Sequence, residues 1–375
     1  MTIATVIIPT FGNAAFARWA IKSVQNQTVK DIEICIICDG SPSHMVSLFQ
    51  NMGREDPRIK VFTYPKSLRT GEPYRDIVIK QTTGKIICYC SHDDLWLPNH
   101  VAIMEKTLRK YYFTHSIHAF INLPEAIKDE NSILGGIYAI TINPEIIKRM
   151  QGGENFFGLT FGAHTRKSYY KLQEGWVTTP LSDVPTDLYM WRKFLSAFEK
   201  YCQTTVKLTA LNFRKIDRTD WSEQQRDDEL KQYYEKIQAP EFLRQLNKNM
   251  SYLLTKVEWL EGFSEMERNE ECTWRWCSSK GTMIINNHSN KNKLFTISAT
   301  FTTGYFELSN LRIESAIFNE NRIVNSTGCF FEKNIKIPPG KHVVKFSCDA
   351  KRVDAPADSR YLVFNTTNFH LVERK

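Results

Sequence analysis

The residues able to do chemistry gather in short polar turns. Ser91-His92-Asp93-Asp94 sets two carboxylates beside an imidazole, and carboxylate oxygens are what hard divalent cations bind. The same acidic pair stands ahead of Pro98 and would equally suit a helix N-terminus, where the helix dipole favours negative charge without any metal. Asp39-Gly40-Ser41 and Pro9-Thr10-Phe11-Gly12-Asn13 are turn sequences rich in hydrogen-bonding groups. Cys35-Ile36-Ile37-Cys38 has the spacing of a redox or zinc motif, but it lies inside an apolar run with no second ligand pair, so both thiols read as core residues.

These turns need a scaffold, and the first 95 residues supply one. Apolar runs at Thr5 to Ile8, Ile32 to Ile37, Ile59 to Phe62 and Ile86 to Cys90 alternate with helical stretches, which implies a parallel sheet with crossover helices. In the first helix Phe16, Ala20 and Val24 recur at four-residue spacing behind Asn13, the expected N-cap. Parallel sheets bind ligands beyond the carboxyl ends of their strands, so the turns after strands one, two and four converge on one edge. From about Thr219 to Leu260 the chain is polar and helical. Beyond Gly262 short alternating strands at Thr282 to Ile285, Leu294 to Phe301, Arg312 to Phe318, His342 to Phe346 and Tyr361 to Phe364 predict an antiparallel β-sandwich.

Composition narrows the class. Of the 375 residues 42% are hydrophobic and 24% charged, enough apolar matter for two folded units and too little charge bias for disorder. The net charge of +8 suits anionic partners such as nucleotide diphosphates, yet it is dispersed and no nucleic-acid recognition motif occurs, so no nucleic-acid partner is expected. The N-terminus reads as a strand, not a signal peptide, and no run of about 18 apolar residues appears. Nine cysteines, four of them in strand-like runs, favour a reducing compartment. The expected location is cytoplasmic, at most peripheral to the inner face of a membrane.

The first domain resembles the inverting glycosyltransferases of family 2, which have the GT-A fold. Val6-Ile7-Ile8-Pro9-Thr10-Phe11-Gly12-Asn13 is similar to the family's opening strand and turn, and Cys38-Asp39-Gly40-Ser41 to its Asp-Asp-Gly-Ser turn. Arg75-Asp76 with Gly84-Lys85-Ile86-Ile87 resembles the segment ahead of the metal motif, and Ser91-His92-Asp93-Asp94-Leu95-Trp96-Leu97-Pro98 resembles the Asp-x-Asp-Asp run itself. The resemblance covers about the first 215 residues and departs at Ser91, where the family has a first Asp.

The resemblance implies transfer of a sugar from a nucleotide diphosphate donor, a UDP-sugar above others, to a hydroxyl of a glycan or glycolipid in surface polysaccharide synthesis. Asp93 is the expected ligand of a divalent cation, Mn²⁺ or Mg²⁺, which would neutralise the departing diphosphate. Asp94 is expected to support it or orient the donor sugar, and Asp39 to face the base or ribose with Pro9 and Thr10 beside it. Arg75 would bring a cation to the diphosphate. Asp187, in Pro185-Thr186-Asp187-Leu188, is the expected catalytic base, with Asp183 as the alternative. His164 and Arg166 are further diphosphate or acceptor candidates, and Trp96 and Trp176 candidates for stacking on sugar, although Trp is more often core.

Three segments are thus expected: a GT-A domain over 1–215, mostly parallel sheet with helices on both faces, a helical linker over 216–261, and a β-sandwich over 262–375. The sandwich would position acceptor or join copies of the chain, and Trp274-Arg275-Trp276 within it is expected to pack in its core. The competing function is a non-catalytic nucleotide- or glycan-binding protein with a degenerate metal motif.

Overall fold

The computed structural model describes residues 2–129, 132–138, 141–180, 184–269, 271–289 and 291–374. It divides into two compact units, Met1–Met250 and Ser251–Lys375. The first opens with β1 (Ala4–Thr10), α1 (Ala17–Gln25), β2 (Ile32–Asp39), α2 (Ser43–Glu55), β3 (Ile59–Tyr64), α3 (Glu72–Lys80) and β4 (Ile86–Tyr89). Continuous apolar runs make β1, β2 and β4 buried on both faces, as strands covered by crossover helices must be. All three pairings among β1 to β4 are parallel.

The unit continues through β5 (Asp94–Trp96), α4 (His100–Leu108), β6 (Phe113–Ile121), β7 (Leu134–Tyr138), α5 (Pro144–Gln151), β8 (Gly162–Thr165), α6 (Arg166–Tyr169), α7 (Thr186–Phe198), β9 (Cys202–Leu208) and β10 (Ala210–Asn212). The sheet order is β3-β2-β1-β4-β8-β6-β10-β5, with β7 and β9 also on β6. β8 runs antiparallel between β4 and β6, so the sheet is mixed in its second half. This is the expected α/β layering, a parallel first half followed by a mixed second half.

Two details differ from expectation. Helix α1 begins at Ala17 with no side-chain cap, because Asn13 lies three residues ahead of the cap position at Phe16 and its Oδ1 pairs with His44 Nε2 at 2.5 Å, while its amide donates to Glu223 Oε2 at 2.9 Å. Residues 216–261 are also not one linker. Helix α8 (Glu223–Lys236), opened by a Ser222–Gln225 capping box, belongs to the first unit, whereas α9 (Pro240–Leu253) runs to the boundary and β11 (Thr255–Trp259) is already a strand of the second.

In the second unit β12 (Glu267–Arg268), β13 (Thr273–Cys277), β14 (Lys280–Asn287), β15 (Lys293–Thr303), β16 (Ser309–Ser315), β17 (Asn319–Val324), β18 (Cys329–Ile337), β19 (Gly340–Cys348) and β20 (Phe364–Glu373) complete two five-stranded antiparallel sheets. Their orders are β11-β14-β19-β16-β17 and β12-β13-β20-β15-β18, and their alternating apolar residues share one core containing Met283, Phe301 and Phe346. On β13 the core side belongs to Cys277. The two-residue period therefore puts Trp274 and Trp276 on the other face, half-buried, and corrects their expected core position.

Candidate functional site

The site lies at the carboxyl edge of β1, β2 and β4. Asp39 ends β2, and Gly40 after it has φ +71°; a Cβ there would stand 2.7 Å from Lys66 Cβ, so the turn requires glycine. The Asp39 carboxylate is buried. Oδ1 accepts the Ser67 N–H at 2.5 Å, and Oδ2 accepts Lys66 Nζ at 2.8 Å and Ser67 Oγ at 2.9 Å. Lys66, which the sequence reading passed over, also lies 4.8 Å over the exposed Phe11 ring and so links the first two turns. Thr10 Oγ1 donates to Ile37 O at 3.2 Å, and Pro9 O accepts from His92 at 3.3 Å.

The acidic run splits. Asp94 is buried and turned inward: Oδ1 accepts Asn212 Nδ2 at 2.8 Å and the Phe213 N–H at 3.2 Å, and Oδ2 accepts Thr160 Oγ1. Burial, and next the charge of Asp93, push its pKa up. Asp93 faces the other way, with a side chain 22% exposed and Arg226 Nη2 3.6 Å from Oδ2, beyond hydrogen-bond distance. Asp94 thus braces the run from behind, and Asp93 alone offers a carboxylate. His92 is tied to Pro9 and stacked on Phe16.

No group of three or more His, Cys, Asp or Glu able to hold a metal occurs among the described residues. The acidic run could offer a divalent cation one carboxylate. Asp93 accepts no hydrogen bond among those described, Ser91 has no carboxylate and both Asp94 oxygens are taken, so a cation on Asp93 would need ligands from outside this run, for which phosphate oxygens and water are suited.

Arg75 is 3% exposed, its guanidinium 4.6 Å over the Trp176 ring. Nη2 donates to Thr70 O at 2.7 Å and Thr70 Oγ1 at 3.1 Å, while Nε and Nη1 have no partner among the described residues. Burial draws its pKa down, against the opposing charges of Glu72, Tyr89, Asp187 and Asp39. Asp187 stands in the first turn of α7. Its Oδ1 accepts the Leu188 N–H at 2.8 Å and Asn155 Nδ2 at 3.1 Å. Burial raises its pKa, outweighing those hydrogen bonds and Arg75. Asp183 lies outside the described residues.

One short segment joins these parts. A Cβ on Gly158 would sit 3.7 Å from Asp187 Oδ2, and two residues on Thr160 Oγ1 accepts the Ser91 N–H at 3.0 Å while donating to Asp94. From the other side Arg69, in the loop that holds Asp39, donates to Pro180 O at 2.6 Å and Val184 O at 3.3 Å. Asp39 and Asp187 both stand within electrostatic reach of Arg75.

Four candidates do not open onto this edge. Arg166 donates to Gly84 O and Ile79 O, both at 2.6 Å, and to Thr5 and Thr82, which fixes it at the amino edge of the sheet. His164 is fully buried against the Tyr89 hydroxyl at 2.7 Å. Trp96 is buried against His100, and Trp176 is buried beneath Arg75, so neither indole is open to a sugar.

Residues 5–172 match the family described as Glycosyl transferase family 2. An uncharacterized glycosyltransferase of Rickettsia conorii is 32% identical over 144 residues, 38% of this chain and 23% of that protein. The GalNAc(5)-diNAcBac-PP-undecaprenol beta-1,3-glucosyltransferase of Campylobacter jejuni is 32% identical over 108 residues, 28% of this chain and 35% of that one. The chain therefore spans only about a quarter to a third of the length of these relatives. The crystal structure of TarS from S. aureus aligns with 90% of this chain and 72% of its own at 10% identity, with a TM-score of 0.44. Among the described residues no helix is long and apolar enough to cross a membrane. The edge that gathers Asp39, Arg75 and Asp93 thus lies in the part of the chain, residues 5–172, that is similar to glycosyl transferase family 2.

Proposed function

We propose that this chain transfers a sugar, with inversion, from a nucleotide diphosphate donor, a UDP-sugar above others, to a hydroxyl of a glycan or glycolipid acceptor. The observation that carries this reading is Arg75: a buried guanidinium with two N–H groups unpartnered among the described residues, within electrostatic reach of Asp187 and Asp39. A buried cation left incomplete in this way suits an anion that arrives with the ligand. Thr10, Pro9 and Asp39 border the base and ribose, with Lys66 beside them.

Asp187 acts as the base. Its raised pKa strengthens it as a proton acceptor, and Oδ2 carries no hydrogen bond among those described, so it can take the acceptor hydroxyl proton. The freed oxygen attacks the anomeric carbon opposite the diphosphate, the bond to the diphosphate breaks, and configuration inverts in one displacement. Arg75 meets the growing negative charge on that leaving group. A divalent cation, Mn²⁺ or Mg²⁺, would be held by Asp93 together with phosphate oxygens and would supply further neutralisation there.

A role in surface glycan synthesis at the cytoplasmic side of a membrane is part of this reading; the name of the Campylobacter relative, a glucosyltransferase acting on an undecaprenol-linked glycan, supports only the glycolipid class of acceptor. The sandwich unit is read as an accessory that positions acceptor or joins copies. A panel of nucleotide sugars with Mn²⁺ or Mg²⁺ in a thermal-shift assay tests the donor site, because a ligand bound only by the folded state raises the melting temperature. Donor turnover with acceptor mixtures tests the chemistry. Nucleotide binding with no turnover under any of these conditions would leave the non-catalytic reading, which the missing carboxylate at Ser91 favours.

A further inference from the structure

Helix α8 lies against the acidic run, and its seat is fixed on both sides of Arg226. Asp227 accepts Arg18 Nη2 at 2.5 Å and Trp19 Nε1 at 2.9 Å, and Glu223 accepts the Asn13 amide at 2.9 Å. Arg226 is thereby pressed inward to 6% exposure, where Nη1 donates to Phe213 O at 3.1 Å and Nη2 stands 3.6 Å from Asp93 Oδ2. A guanidinium so far out of water needs an anion, and Asp93 is the one the structure gives it. Yet the pair is loose, longer than a charge-assisted hydrogen bond.

This pairing conflicts with a cation on Asp93. Two more positive charges placed on that carboxylate would stand within a few ångströms of Arg226, in a poorly solvated site where like charges repel strongly. Arg226 must then find another anion, and the one that enters with the cation is the donor diphosphate. Resting on the donor-site reading above, we propose that Arg226 is an exchangeable counter-ion: it holds Asp93 before the donor binds, and turns to the diphosphate when a divalent cation takes Asp93. Two consequences follow. Free Mn²⁺ binds weakly until nucleotide is present, and Arg226 shares with Arg75 the charge of the leaving group.

The test is Mn²⁺ binding, followed by electron paramagnetic resonance, and UDP binding with Mn²⁺, followed by calorimetry, for the unaltered chain, Arg226→Gln and Arg226→Lys. In Arg226→Gln free Mn²⁺ should bind about threefold more tightly, since its competitor is gone, while UDP with Mn²⁺ binds about tenfold more weakly. Arg226→Lys, which keeps the charge, should leave free Mn²⁺ binding close to the unaltered chain. Opposite changes in one variant cannot come from damaged folding, which weakens both. Arg226→Gln binding both ligands as the unaltered chain does, or both more weakly, overturns the exchange alone. An unaltered chain that binds no UDP overturns the donor-site reading, and the exchange with it.

Discussion

The two edges of the first unit's sheet both carry charge that is largely out of water, and they treat it differently. At the amino edge Glu33 accepts Thr5 Oγ1, the Thr83 and Gly84 N–H groups and Lys60 Nζ, and Arg166 spends its guanidinium on two carbonyls and three hydroxyls. At the carboxyl edge Arg75 keeps two unpartnered donors among the described residues, and Asp93 faces a cation too distant to hydrogen-bond. Charge that is matched from within holds the fold together, and charge left part-matched in a cleft is poised for a ligand. Burial alone does not tell the two apart.

If that distinction is right, substitutions at the two edges should fail in different ways. Asp187→Asn should give the largest effect: kcat about 10³-fold lower, with the UDP dissociation constant within about twofold, because a base acts in the transition state and not on the nucleotide. Comparable rates in the variant and the unaltered chain would remove Asp187 from the mechanism. Arg166→Met, at the other edge, should cost about 3 kcal/mol of stability in urea unfolding by leaving the Gly84 carbonyl without its partner and removing the hydrogen bonds to Ile79 O, Thr5 and Thr82, with kcat per folded molecule unchanged. A tenfold loss of kcat in folded Arg166→Met would place the amino edge in the chemistry. Arg75→Met should do the reverse of Arg166→Met. UDP binding should weaken about tenfold while stability moves by less than about 1 kcal/mol, since a half-unsatisfied buried guanidinium contributes little to the fold.

The sequence showed the carboxyl edge better than the amino edge, and for a physical reason. Strands β1, β2 and β4 announced themselves as apolar runs, so the turns after them could be placed, and Asp39 and Asp93 with them. What could not be read was which oxygen faced which neighbour: Asp93 and Asp94 are adjacent and alike in sequence, and only the fold of β10 and the Leu159–Phe161 turn engages one and leaves the other. Lys66 and Arg226 were missed because a basic residue in a polar stretch looks solvated until a distant element meets it. Glu33 was missed for the opposite reason, since one carboxylate inside an apolar strand breaks no pattern. Trp274 and Trp276 were misjudged because period-two alternation fixes that two residues share a face, not which face is inside.

The finest test of the amino edge is its response to acid. Burial would raise the Glu33 pKa, but the hydrogen bonds from Lys60, Thr83, Thr5 and Gly84 outweigh it and hold the carboxyl at about 2, against an ordinary 4.5. A folded value below the unfolded one means that the native state resists protonation, so the stabilisation is complete above about 4.5 and is lost as the pH falls toward about 2. Glu33→Gln keeps the shape and cannot titrate. At pH 7 it should cost about 1 kcal/mol, seen as a lower urea midpoint, and the gap from the unaltered chain should close across that acid window. A gap equally wide at pH 7 and in the middle of the window would mean that Glu33 is not held as a matched anion. The contrast between a satisfied edge and a waiting one would then lose its clearest member.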